Sequence, residues 1–269
     1  MLITTKALKI YKLNKPYMDK DLPLLGFNSS TKIAKGEKLN YKTGILYLKP
    51  ADSVSIKTIC SHAKKAGCDE DCLEASGRLA MANGQLAMYR RTIALLRDSE
   101  AFERHLIREI EKNRTEKYAI RLNGTSDLDW SRVIKALPDV QFYDYSKNLK
   151  RVIENDLPNY HLTYSASFNN LRCIKDTIKA IKFGLNTAIA FNTKESKGEF
   201  KIPKTVEIED SSIPLVSFDD TDLRFLDEDG AVGSLTRKGS TKEQRASALG
   251  SLNFFADLSS IQLLNKIII

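Results

Sequence analysis

Three thiols crowd into one short stretch of the chain, the run Cys60-Ser-His-Ala-Lys-Lys-Ala-Gly-Cys68-Asp-Glu-Asp-Cys72, a C-x7-C-x3-C arrangement. Thiolates are soft donors that select zinc, copper(I) or iron–sulfur centres over hard cations. In a chain without secretory features such clustering points to a metal or a cluster sooner than to disulfides. Structural zinc takes four ligands, and only His62 stands close enough in sequence to join the three thiols as a local fourth. Three thiolates in one loop can instead hold three irons of a [4Fe–4S] cube, leaving one iron open to another ligand. Gly67 lets the backbone turn tightly around a bulky centre, and Lys64, Lys65 and Arg78 would offset its negative charge. On spacing alone three readings stand: an iron–sulfur cluster, zinc, or unligated, redox-active thiols. The fourth cysteine, Cys173, lies far along the chain in a segment that reads as helix.

Other constellations are weaker. Neither G-x-x-x-x-G-K-[ST] nor G-x-G-x-x-G occurs, which argues against a nucleotide phosphate loop. Of the three histidines, His105 is expected on the surface of a charged helix and His161 as a structural imidazole at the start of a strand. Asp219, Asp220 and Asp222 could hold a hard divalent cation. The expected reading is a polar loop in which Arg224 pairs with an acid.

The elements that must position these residues follow from periodicity. Asp98 reads as the N-cap of a helix with Phe102, Leu106, Ile107 and Ile110 on one face. From Tyr118 onward strand and helix alternate. Tyr118 to Leu122, Val140 to Tyr145, His161 to Ser167 and Thr187 to Phe191 are short apolar runs, and Trp130 to Leu137, Lys147 to Glu154 and Asn170 to Phe183 read as helices. That pattern predicts a mainly parallel sheet with helical crossovers. Each strand runs into polar residues: Asn123, Thr125, Ser126 and Asp127; Asp144, Tyr145, Ser146 and Lys147; Ser165 and Ser167; Asn192 and Thr193. In parallel α/β folds ligands bind where strand carboxyl ends converge, although the same residue types also cap the helices that follow. Asn123, Ser126, Asp127, Asp144 and Lys147 are therefore the expected pocket residues. Beyond Gly198 short strands are expected at Val206 to Ile208, Leu215 to Phe218 and Ala231 to Leu235, then a helix from about Thr241.

Composition bounds the answer. With 269 residues, 42% hydrophobic and 28% charged, the chain can bury a substantial core, which excludes a disordered tail or a rod. No apolar run approaches the roughly 20 residues needed to cross a bilayer, and the N-terminus lacks the features of a signal peptide, so the expected location is the cytoplasm. The net charge of +8 sits almost wholly in residues 1–65, which hold thirteen Lys and four acids. Ammonium groups attract phosphate backbones without reading bases, so this segment either contacts nucleic acid or is a solvated surface. The expected organisation is a Lys-rich N-terminal extension, 1–55, packed on an α/β cluster-binding domain, 56–269.

Several segments together resemble a phage-borne family called gene product 88. They are Leu24-Leu25-Gly26 with Ser30-Thr31-Lys32, the cysteine loop continuing into Cys72-Leu73-Glu74-Ala75-Ser76-Gly77-Arg78, and Arg90-Arg91-Thr92. Further on come Arg121-Leu122-Asn123-Gly124-Thr125-Ser126-Asp127, Phe142-Tyr143-Asp144-Tyr145-Ser146-Lys147, Asp219-Asp220-Thr221-Asp222-Leu223-Arg224, Gly233 and Lys238-Gly239. The resemblance implies a phage-encoded protein in the host bacterial cytoplasm. It also implies a [4Fe–4S] cluster, held by Cys60, Cys68 and Cys72 on a radical-SAM-like, partial TIM-barrel scaffold, with either a substrate or S-adenosylmethionine in the adjoining pocket. Two features depart from the radical-SAM pattern: the usual loop is C-x3-C-x2-C, and no glycine-rich strand end for the methionine moiety is evident. The expected function is an iron–sulfur protein with redox or radical chemistry. The alternative is a nucleic-acid-associated phage protein whose cluster or zinc is structural.

Overall fold

Short apolar runs in this chain become strands, and the amphipathic stretches between them become the helices that cover the sheet. The computed structural model describes residues 22–27, 39–50, 58–69, 72–75, 77–193, 199–238 and 253–267. Most of the Lys-rich N-terminal segment and the helix expected from Thr241 lie outside the described residues. Among the described residues nine strands form a mostly parallel sheet that does not close, so the architecture is mixed α/β with an open sheet. No described helix is long and apolar enough to cross a membrane.

The chain divides into two compact units. The first comprises Met1–Ser61, Cys72–Asp144 and Leu157–His161. In it β1 (Leu25–Phe27) pairs antiparallel with β2 (Lys42–Leu46), and β2 pairs parallel with β3 (Tyr118–Arg121). Strands drawn from residues 25–46 are thus members of the sheet. The helix Ser99–Lys112 is N-capped by Asp98, whose side chain accepts from Ala101 N at 2.9 Å, and it buries Phe102, Leu106 and Ile110 as the periodicity predicts. Its Glu109 carboxylate accepts from the backbone amides of Leu24 and Leu25 at 2.8 and 2.9 Å. His105, expected at the surface, is instead half-buried, with Nε2 3.0 Å from the carbonyl of Leu22. A three-residue strand has no periodicity to detect, and a carboxylate more than eighty positions away fixes it.

The second unit comprises His62–Asp71, Tyr145–Asp156 and Leu162–Ile269. Here β6 (Thr187–Phe191) pairs parallel with β9 (Val232–Thr236), β9 parallel with β8 (Ser211–Ser217), and β8 antiparallel with β7 (Thr205–Ile208). The strands β4 (Gln141–Ser146) and β5 (Tyr160–Ser165) each contribute to both units. Three helices matter for the site: α1 (Ala63–Ala66), inside the cysteine loop; α2 (Leu171–Lys182), which buries Cys173, Ile174, Thr177, Ile178 and Ile181; and α3 (Leu258–Lys266), opened by a capping box of Asp257 and Ser260.

Candidate functional site

In the first unit the end of β3 is organised by one buried carboxylate. Asp144 is fully buried; its Oδ1 accepts from Asn123 N at 2.7 Å, and its Oδ2 accepts from Asn123 Nδ2 at 3.3 Å and from Tyr160 Oη–H at 3.1 Å. Held in this way, Asn123 turns its Oδ1 to accept from Ser126 Oγ at 2.8 Å, Leu128 N at 2.9 Å and Trp130 Nε1 at 3.2 Å. Thr125 Oγ1 reaches the segment just after β2, accepting from Leu48 N at 3.1 Å and donating to its carbonyl. The start of the cysteine loop is stitched to the same turn: Asp127 N donates to Ile59 O at 3.0 Å, and the Cys60 thiol donates to Thr125 O at 3.6 Å. Asn123, Ser126 and Asp144, all expected in a pocket, thus share one network, and Asp127 stands half-buried beside it. In this network Asp144 positions the Asn123 turn.

In the second unit the α1 helix of the cysteine loop is tied to the residues that follow β5. The carbonyl of Lys65 accepts from Asn170 Nδ2 at 2.9 Å, Asn169 Nδ2 at 3.2 Å and the Cys173 thiol at 3.5 Å, while Ser167 Oγ donates to Ala66 O at 2.8 Å. The helix stops at Gly67, whose φ of 67° is left-handed, and a Cβ there would lie 2.6 Å from Asn169 Oδ1. Gly67→Ala is therefore expected to lower stability by about 2 kcal/mol through backbone strain and displacement of the Asn169 amide. The chemical-denaturation midpoint checks this. Lys147 belongs to this unit, its Nζ donating to Ser165 Oγ at 2.8 Å and lying 4.1 Å from the centre of the Phe254 ring. Lys65 pairs with Asp176 at 3.4 Å, and burial, with help from Asp176 and Cys173, pushes the Tyr164 phenol well above its ordinary range.

The three clustered thiols are half-buried and, like Cys173, form no disulfide. Cys60 and Cys72 fall in the first unit, and Cys68 and His62 in the second. Among the described residues no three His, Cys, Asp or Glu side chains are grouped as a single metal ion would require. Each of the three is a soft, half-buried thiol outside any disulfide, the donor type that zinc and iron–sulfur centres take. The packing of Cys173 on the cysteine loop leaves no local trace in the sequence, because its partner carbonyl is 108 positions away.

Asp219, the first residue of the acidic run, does structural work. Asp219 Oδ2 accepts from Thr236 N and Oγ1, both at 2.8 Å. Arg224 is fully buried, lies 3.8 Å from the Phe218 ring centre and pairs with Asp227 at 3.2 Å. Burial pushes the Asp227 carboxyl up against a smaller downward pull from Arg224.

Residues 23–250, most of the chain, match a family model described as Gene product 88. No curated protein and no solved structure matches the chain.

Proposed function

Because the chain belongs to the gene product 88 family of phage proteins, we propose that it is an iron–sulfur protein. In this reading Cys60, Cys68 and Cys72 hold a [4Fe–4S] cluster on a radical-SAM-like, partial-barrel scaffold, with S-adenosylmethionine as a second ligand. The observation that carries the reading is the anchoring of the cysteine loop to strand-end turns. Ile59 and Cys60 bond to the turn after β3 in one unit, and Lys65 and Ala66 bond to the turn after β5 in the other. Carboxyl ends of parallel strands are where α/β folds bind ligands, and each of these two anchors lies just beyond such an end, which supports the reading. When bound, such a cluster supplies one-electron chemistry. The chain's own part is to hold and orient. Asn123 and Ser126 present amide and hydroxyl groups fixed by Asp144, Asp127 offers a half-buried carboxylate, and Lys147 offers an ammonium.

Protein prepared without oxygen tests this. The expected result is a brown protein absorbing near about 400 nm with about four irons and four sulfides per chain. Loss of iron is expected in Cys60→Ala, Cys68→Ala and Cys72→Ala, and retention in Cys173→Ala. Cleavage of S-adenosylmethionine by the reduced protein would extend the reading to radical chemistry. A colourless protein with stoichiometric zinc, or iron that survives all three substitutions, overturns it.

A further inference from the structure

We propose that α2 of the second unit is a docking surface for single-stranded nucleic acid, held by a stripe of cations that ends on an exposed aromatic ring. The surface lies outside the Lys-rich N-terminal segment and uses none of Cys60, Cys68 and Cys72. The helix has two unlike faces. Ile174, Ile178 and Ile181 are buried, and Arg172, Lys175, Lys179 and Lys182 are exposed. Spacings of three, four and three residues put these four cations on one side of a 3.6-residue helix, over about 15 Å of its length.

The chain balances little of this charge. Lys182 pairs with Glu209 at 2.9 Å. The one acid of α2, Asp176, is half-buried and pairs with Lys65 at 3.4 Å. Among the described residues the side chains of Arg172, Lys175 and Lys179 enter no ion pair and no hydrogen bond. The helix α3, which packs against α2, has no acid and adds the exposed Lys266. An ordinary solvated face mixes both signs, as in the helix Ser99–Lys112, where Glu100 lies one turn from Arg104 at 3.7 Å. Three uncompensated cations in a line suit a polyanion, and basic side chains displace counterions from a phosphate backbone without reading bases. Phe183 selects among polyanions. It follows Lys182 directly and is 66% exposed, with no aromatic partner among the described residues. An aromatic ring beside a basic track stacks on an unpaired base. A duplex keeps its base faces inside, and an acidic peptide has no bases. A membrane fits poorly, because a helix lies on a bilayer with its apolar face in the interface and that face of α2 is spent on the core.

Fluorescence anisotropy of a labelled oligodeoxythymidine with the full chain, over roughly 50 to 200 mM salt, tests the surface. Each phosphate contact to a single strand adds about −0.7 to the slope of log Kobs against log salt. Arg172→Gln, Lys175→Gln and Lys179→Gln combined are expected to make that slope shallower by about 2, whatever the N-terminal lysines add to it. Arg108→Gln, Lys112→Gln and Lys135→Gln combined remove the same charge from exposed positions of the first unit and should leave the slope unchanged. Phe183→Ala is expected to weaken binding about tenfold, the loss of one base stack, with an unchanged circular dichroism spectrum. An oligonucleotide that does not bind overturns the proposal, as does an α2 variant with the parent slope or a control variant that loses as much. Duplex bound as tightly as single strand, or Phe183→Ala without effect, overturns the single-strand assignment. Polyglutamate competing as well as the oligonucleotide at matched charge overturns it in favour of an acidic protein. Binding to phosphatidylserine vesicles without binding to the oligonucleotide overturns it in favour of a membrane.

Discussion

Asp144→Ala is expected to destabilise the first unit by about 4 kcal/mol, and Trp130 is expected to report it. The carboxylate is fully buried and accepts from Asn123 N, Asn123 Nδ2 and Tyr160 Oη, so truncation strands the Asn123 amide and the Tyr160 hydroxyl where water does not reach them. Each buried donor left without an acceptor costs about 1–3 kcal/mol, and the vacated volume adds to that. The chain has a single tryptophan, Trp130, and its Nε1 donates to the Asn123 Oδ1 that Asp144 positions. Its fluorescence should therefore follow the turn's release in urea. Tyr160→Phe removes one donor and leaves the other two bonds in place, so about 1.5 kcal/mol is expected. With alanine at 144 the same change should cost less, because the hydroxyl has already lost its acceptor; a coupling of about 1 kcal/mol is expected from the cycle. Asp144→Asn keeps the shape but turns an amide N–H toward a donor, so about 2 kcal/mol of the loss should persist. An Asp144→Ala protein within about 1 kcal/mol of the parent would mean that the turn holds itself and that the carboxylate has another task.

The strand-and-helix alternation from Tyr118 onward was legible because parallel strands covered on both faces are short continuous apolar runs. Thr187–Phe191 matches its expected bounds residue for residue. The expected run from His161 to Ser167 forms a strand over Tyr160–Ser165, because Ser167 turns its hydroxyl to the carbonyl of Ala66. Such an end is set by a partner a hundred positions away, and periodicity carries no record of it. The C-terminal helix Leu258–Lys266 was legible in principle, since Asp257 and Ser260 form the spacing of a capping box, but the apolar residues around it masked the signal. Among the site residues, polarity at strand ends marked Asn123, Ser126 and Asp144. Which of them faces a ligand and which holds its neighbours was not legible, because Asp144 takes its role from Tyr160 on another strand. Lys147 was grouped with them on sequence, and two of its partners are Ser165 and Phe254, 18 and 107 positions away.

Gly233→Ala should be among the most damaging single-methyl additions in the protein. A Cβ built at Gly233 would lie 2.1 Å from ring carbons of Phe218, far inside contact distance. The backbone cannot yield, because Gly233 is paired in register with Ala188 of β6 on one side and Val216 of β8 on the other. The ring must move instead, and it is 1% exposed with the Arg224 guanidinium 3.8 Å from its centre. Displacing it withdraws the aromatic face from a fully buried cation whose remaining contacts are the Thr221 carbonyl at 2.6 Å and Asp227 at 3.2 Å. Overpacking costs about 1–3 kcal/mol by itself, and a weakened buried ion pair adds to it, so a loss of about 4 kcal/mol is expected from urea denaturation followed by circular dichroism. Phe218→Leu alone should cost about 2 kcal/mol, since it trades the ring for a smaller side chain and gives up the cation–π contact. In the presence of Gly233→Ala that same change should recover stability, because the branched side chain can rotate away from the new methyl where a flat ring cannot. A double variant no more stable than Gly233→Ala alone would show that the damage lies in the β9 backbone and not in the ring that the glycine admits.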